Sequence, residues 1–214
     1  QWVLVLANHQ SWTDILLLQN TLRPHLPPLK FFTKRELLWL PFLGQAMWAL
    51  DFPFMHRYSP AYLERHPEKR GKDLETTRRA CAHFRHTPTA VINFVEGTRW
   101  TPEKHAAQGS PYPGLLKPRA GGTGFVLSAL GDQLDRYVDV TLCYHTARPN
   151  FWRYLCGRLG PVDVIIEQGP LPEALRGGDY GEDPAFREAV KTWLDERWQR
   201  KAVLLENVTE DRAP

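Results

Sequence analysis

A chain of 214 residues, 43% hydrophobic and 24% charged, has material for one sizeable α/β domain and is short for two. Its 27 Lys and Arg against 24 Asp and Glu leave a net charge of +3, too weak a balance for a nucleic-acid-binding protein, so no nucleic-acid partner is expected. No stretch reaches the ~18 apolar residues of a transmembrane helix, and three widely spaced cysteines, Cys81, Cys143 and Cys156, exclude a disulfide framework and point to a reducing compartment.

Trp2 to Leu6 is an apolar run with β-branched residues, which predicts a buried strand. The chain opens with Gln1 at the edge of that strand and without a starting Met. A fragment of a longer protein is therefore expected, one lacking an N-terminal membrane anchor. Ile15 to Leu22 predicts a helix ended by Arg23-Pro24, Phe31 to Thr33 a short strand, and Lys34 to Leu40 a second helix. The apolar stretch Leu37 to Leu50 is 14 residues long and is broken by Pro41 and Gly44. Asp51 to Tyr58 reads as extended, with Pro53 placing it at an edge or in a loop. Lys72 to His86 has helical spacing.

Ala90 to Val95 predicts another buried strand, ending abruptly at Glu96-Gly97-Thr98-Arg99. Thr101 to Gly122 holds four Pro and four Gly and reads as a long loop, functional or mobile. Gly124 to Leu134 comes next as a helix, with Gly121-Gly122-Thr123-Gly124 as its hinge or entry; Tyr137 to Tyr144 and Val162 to Glu167 read as strands. A closing helix has Asp183 as cap, Pro184 at its first position, and Phe186, Val190, Trp193 and Leu194 on one face. Alternating strands and helices predict a single α/β domain over residues 1–214: a central mixed sheet with helices on both sides. Functional groups in such folds gather beyond strand ends, and two polar junctions, Asn8-His9 and Glu96-Gly97, both come directly after predicted strands.

In Asn8-His9-Gln10-Ser11-Trp12-Thr13-Asp14, Asp14 falls in the first helical turn and can fold back toward the His9 imidazole. A carboxylate on one ring nitrogen fixes the tautomer and leaves the other nitrogen free to take a proton. The same Ser11-x-x-Asp14 spacing also fits a helix cap, and the spacing alone leaves both readings open. Ser11 fits a cap better than a nucleophile, because Gly-x-Ser-x-Gly appears nowhere. At the second junction, Gly97 lets backbone N–H groups turn toward an anion and Arg99 offers bidentate recognition of phosphate. Glu96 could anchor that loop or contact a substrate hydroxyl. Taken alone, the segment also fits an ordinary turn with a solvated Arg. His83 and His86 share a helical face but lack a third ligand, so no metal is expected.

The motif Asn-His-x-Ser-x-x-Asp, with Phe94-Val95-Glu96-Gly97-Thr98-Arg99 much later in the chain, resembles the glycerolipid acyltransferase family, which includes the lysophosphatidic acid (1-acylglycerol-3-phosphate) acyltransferases. Lys34-Arg35-Glu36-Leu37, Pro41-Phe42-Leu43-Gly44 and Phe52-Pro53-Phe54-Met55-His56-Arg57 resemble its middle region. Pro118-Arg119-Ala120, Tyr137-Val138-Asp139-Val140-Thr141 and Trp193-Leu194-Asp195-Glu196-Arg197-Trp198 resemble its lysophospholipid-remodelling branch. The resemblance implies that His9 and Asp14 are the catalytic pair. It implies that Arg57 binds the glycerophosphate head, and that Glu96, Gly97 and Arg99 bind the acceptor.

It further implies transfer of an acyl group from acyl-CoA, or acyl carrier protein, to the free hydroxyl of a lysophospholipid, with no cofactor beyond acyl-CoA as co-substrate. A membrane surface would be the partner, on its cytoplasmic face. Three features depart from the usual pattern: Val95 and Trp100 flank the third block, His56 stands where Asp is usual, and no Pro occurs between Val138 and Tyr144. They leave the catalytic pair intact and touch the acceptor side. Two other classes share these residues: a silent lipid-binding module that keeps the fold, and a hydrolase that uses the same base on water. Aromatic residues in Leu37 to Met55 and in Phe151 to Cys156 have the make-up of core or of membrane-dipping segments.

Overall fold

The computed structural model describes residues 1–31, 33–34, 38–39, 41–50, 52, 54–55, 65, 87–146 and 149–210. Arg57, His83, His86 and the expected helix over Lys72 to His86 lie outside them, as does most of Lys34 to Leu40.

Five strands form one sheet in the order β2-β5-β1-β6-β7. They are β1 (Trp2–Ala7), β2 (Leu29–Phe31), β5 (Ala90–Phe94), β6 (Leu134–Tyr144) and β7 (Val162–Pro170); β3 (Thr33–Lys34) and β4 (Phe54–Met55) form a separate parallel pair. Strands β2, β5, β1 and β6 run parallel, and β7 returns antiparallel on β6. The sheet is therefore mixed, as the sequence predicts. Strand β1 lies between two neighbours and is covered on both faces, which is why it reads as an unbroken apolar run.

Successive β1 side chains divide between two cores, in keeping with the two-residue period of a strand. Val3, Val5 and Ala7 pack with Leu18 and Leu22 of helix α1 (Thr13–Leu22), while Leu4 and Leu6 face the opposite side. There they meet Val126, Leu127 and Leu130 of α4 (Ala120–Leu130) and Val190, Leu194 and Trp198 of α6 (Pro184–Glu210). Each such aliphatic side chain contributes about 1.5–3 kcal/mol when fully buried. Helices thus cover both faces. Helix α6 starts as predicted, with Asp183 Oδ1 accepting from Ala185 N at 2.8 Å and Phe186 N at 3.2 Å.

The segment Thr101 to Gly122 is not one long loop. It holds α3 (Pro102–Gln108), and α4 begins at Ala120, four residues before the predicted start. The signals for α3 are local: Thr101 accepts from Lys104 N, Pro102 opens the helix, and Gly109 closes it in the left-handed region. In α4, Gly122 and Gly124 serve close packing rather than freedom. A Cβ on Gly124 would lie 2.0 Å from the Tyr180 ring. Two further helices are α2 (Leu43–Ala49), within the apolar stretch Leu37 to Leu50, and the short α5 (Phe151–Leu155). Among the described residues, no helix is long and apolar enough to cross a membrane.

Candidate active site

Parallel pairing sets the carboxyl ends of β1 and β5 side by side, with Ala7 opposite Phe94. The chain leaves β1 toward α1 on one face and leaves β5 toward α4 on the other. The cleft beyond two such strand ends is where open α/β sheets hold their ligands.

Asn8, the residue after β1, anchors the strand end and aims His9. Its side-chain amide takes the next place in the ladder beside β6: Nδ2 donates to Leu142 O at 3.0 Å, and Leu142 N donates to Oδ1 at 2.8 Å. His9 then turns out of the sheet. Its ring stacks on Phe94 at 4.2 Å between centroids, and its carbonyl accepts from Trp100 N at 2.7 Å. The two polar junctions are thereby joined directly.

Asp14 is fully buried, yet four donors surround it. His9 Nδ1–H reaches Oδ2 at 2.8 Å, with Gln10 N at 2.7 Å and Ser11 N at 3.0 Å on the same oxygen. The Tyr144 hydroxyl donates to Oδ1. Burial, and after it the Asp14 charge, raises the Tyr144 pKa above its ordinary value, so the phenol keeps its proton as a donor. These donors compensate the cost of burying the carboxylate. Capping and orientation thus coexist: Asp14 secures the residues before its own helix and holds the imidazole. Ser11 Oγ accepts from Thr13 N at 3.2 Å and lies 3.0 Å from Thr13 Oγ1, a local helix-start role.

A carboxylate only accepts, so Nδ1 carries a proton, and in the neutral imidazole Nε2 then keeps its lone pair. The His9 side chain retains 17% exposure against none for Asp14.

Glu96 lies beneath the second junction, fully buried; the His9 and Leu116 N–H groups lie near it, but among the described residues neither oxygen has a partner at full hydrogen-bonding geometry. Burial pushes its pKa up to about 8. The Asp14 charge adds to the rise, while backbone N–H groups of His9 and Leu116 and the Lys201 ammonium oppose it. Glu96 is therefore mostly neutral at pH 7. Gly97 comes next at φ +68°, where any other residue is strained, and its N–H donates to Phe94 O at 2.9 Å. Exposed Arg99 sets its guanidinium over the Trp12 ring at 5.2 Å, reaching from the β5 junction to the start of α1.

His9, Asp14, Glu96, Gly97 and Arg99 are brought to one edge of the sheet. Asn8, Phe94, Tyr144, Lys104 and Arg119 join them there without having been singled out one by one from the sequence. Lys104 Nζ donates to Thr98 Oγ1 at 2.8 Å and to Arg99 O at 2.9 Å, which braces the turn. Asn8 stands in the first junction and opens the motif, but the sequence alone assigns it no role of its own. Nothing local marks Tyr144. Among the described residues, no group of three or more His, Cys, Asp or Glu side chains could hold a metal ion.

Residues 1–142 match the family model described as Acyltransferase. An Arabidopsis thaliana protein named 1-acyl-sn-glycerol-3-phosphate acyltransferase 3 is 30% identical over 217 residues, covering 95% of this chain and 52% of that protein. The mouse 1-acyl-sn-glycerol-3-phosphate acyltransferase epsilon is 24% identical over 225 residues, covering 95% of this chain and 57% of its own length. The zebrafish (Danio rerio) lysocardiolipin acyltransferase 1 is 25% identical over 211 residues, covering 92% and 50%. The chain spans about half the length of the curated relatives it matches.

Proposed function

The chain belongs to the acyltransferase family, and from that premise we propose that it transfers a fatty acyl group from acyl-CoA to the free hydroxyl of a lysophospholipid such as 1-acylglycerol-3-phosphate. One observation carries the reading: His9 Nδ1–H is held on Asp14 at 2.8 Å, while among the described residues Nε2 has no partner and the side chain is partly exposed.

Nε2 takes the acceptor's hydroxyl proton as the oxygen attacks the thioester carbonyl. The carbon–sulfur bond then breaks, and the departing coenzyme A sulfur receives the proton back from the imidazolium. Asp14 stabilises that imidazolium throughout. No covalent acyl-enzyme is required. General-base help of this kind typically contributes ~10²–10⁴-fold, and positioning of both substrates adds to it. Arg99, exposed beside the cleft, suits the acceptor's phosphate. The same role for Arg57 and an acceptor-binding role for Glu96 and Gly97 rest on the family resemblance; buried Glu96 suits support of the turn from below.

The partner surface is the cytoplasmic face of a membrane. Trp39 and Phe42 are 84% and 85% exposed, Trp48 is 70% and Trp152 is 74%, and Arg153 and Arg158 flank the last. In the chain these aromatic segments follow β2 and β6, two of the strands that run parallel to β1. Exposed Trp with flanking Arg is the composition of a lipid–water boundary.

The test is purified protein with labelled acyl-CoA and a series of lysophospholipids on vesicles, read by mass spectrometry. Label is expected in phospholipid in the wild type and absent from it in His9→Ala. Label in free fatty acid instead would identify a hydrolase, and wild-type turnover by His9→Ala would remove the mechanism.

A further inference from the structure

The Glu96-to-Arg99 turn meets a second guanidinium besides that of Arg99. A Cβ built on Gly97 would lie 3.1 Å from Arg119 Cδ and 3.8 Å from both Nε and Nη1. The Arg119 side chain therefore lies across the one position of the turn that has no side chain. Its place does not depend on that side chain, because the Arg119 backbone N–H donates to Val95 O at 2.8 Å. The residue is exposed, and among the described residues no carboxylate pairs with its guanidinium.

The charges near the turn favour an anion from outside. Glu96 directly beneath it is mostly neutral at pH 7, its carboxyl pushed up to about 8. The Asp14 carboxylate is enclosed by its own four donors. Lys104 adds a third cation, already holding Thr98 and the Arg99 carbonyl. Among the described residues two guanidinium groups at the turn have no carboxylate partner, one over Trp12 and one beside Gly97. Planar forks of this kind match phosphate oxygens two at a time.

We propose that Arg119 is a substrate-binding residue that holds a phosphate group together with Arg99 over the Gly97 turn. The assignment rests on the acyl-transfer reading and deepens it. Phosphate occurs in both substrates, on the glycerol of the acceptor and in coenzyme A; proximity to the Arg99 turn favours the acceptor.

Initial rates of wild type, Arg119→Ala and Arg119→Lys, with each substrate varied in turn, test the assignment. Arg119→Ala is expected to raise the acceptor KM by about 10–100-fold, the range for losing a charge-assisted contact, while kcat and the acyl-CoA KM stay within about twofold. Arg119→Lys is expected to recover part of the loss, since a point charge keeps attraction without the fork. A rise in the acyl-CoA KM alone would keep the phosphate role and assign it to the donor. Unchanged KM for both substrates, or a fall in kcat with a lowered melting temperature and unchanged KM, would overturn it. Wild type that acylates no lysophospholipid would instead overturn the function itself.

Discussion

The Tyr144 hydroxyl donates to Asp14 Oδ1 from 130 positions away, on the opposite side of the carboxylate from His9. Tyr144→Phe removes that donor and leaves one oxygen of a buried carboxylate without its partner. Stability is expected to fall by about 1–3 kcal/mol, measured by urea denaturation. The three donors on Oδ2 remain, so kcat should fall less than in Asp14→Asn, with substrate KM values unchanged. An unaltered melting curve and rate would remove Tyr144 from the site.

Asp14→Asn keeps the side-chain shape and reverses the polarity at one atom. The amide oxygen takes the Oδ2 place, where His9 Nδ1, Gln10 N and Ser11 N all donate, and the amide nitrogen falls beside the Tyr144 hydroxyl. The negative charge that stabilises the imidazolium is then gone. A folded protein with kcat lowered by about 10²–10⁴-fold is expected. Steady-state kinetics with circular dichroism would check both halves, and near-normal kcat would show that the imidazolium does not need the carboxylate's charge.

Glu96 sets a pH dependence of stability with a definite sign. Its pKa is 4.5 as the ordinary value and about 8 in the fold, so the native state holds the proton more tightly than the unfolded chain. Its contribution is whole below pH 4.5 and is lost as pH rises through about 8, by up to a few kcal/mol. Wild type should therefore lose more stability between about pH 6 and pH 9 than Glu96→Gln, which cannot ionise. Parallel denaturation profiles for the two proteins over that range would show that Glu96 is already ionised.

Lys201 is fully buried on α6, with Nζ 2.5 Å from Asp139 Oδ1, 2.6 Å from Val140 O and 3.2 Å from Thr141 Oγ1. Burial draws both partners toward neutrality, Asp139 upward and Lys201 downward, and their mutual attraction resists it. Lys201→Met leaves Asp139 alone in the core and is expected to cost about 3–5 kcal/mol. Lys201→Met with Asp139→Leu should recover most of that loss. Chemical denaturation of the single and double variants would decide; equal losses in both would mean that the bonds to Val140 and Thr141 matter more than the ion pair.

Much of this protein is dictated by local pattern alone. The apolar run at β1, the cap and first-turn proline of α6, and the five-residue step from His9 to Asp14 each concern neighbours in the chain, whose geometry is fixed by strand pleat or helical turn. Even the missed α3 has its Thr101, Pro102 and Gly109 signals in place; the density of Pro and Gly around it obscures them.

The tertiary structure decided what meets across the sheet. Phe94 lies under His9 and Tyr144 beside Asp14 because β1 sits between β5 and β6, and the α6 lysine reaches β6 for the same reason. Strand order depends on crossover connections that leave no periodic trace in sequence. The approach of Arg119 to Gly97 likewise depends on a backbone bond to Val95, between residues far apart in the chain.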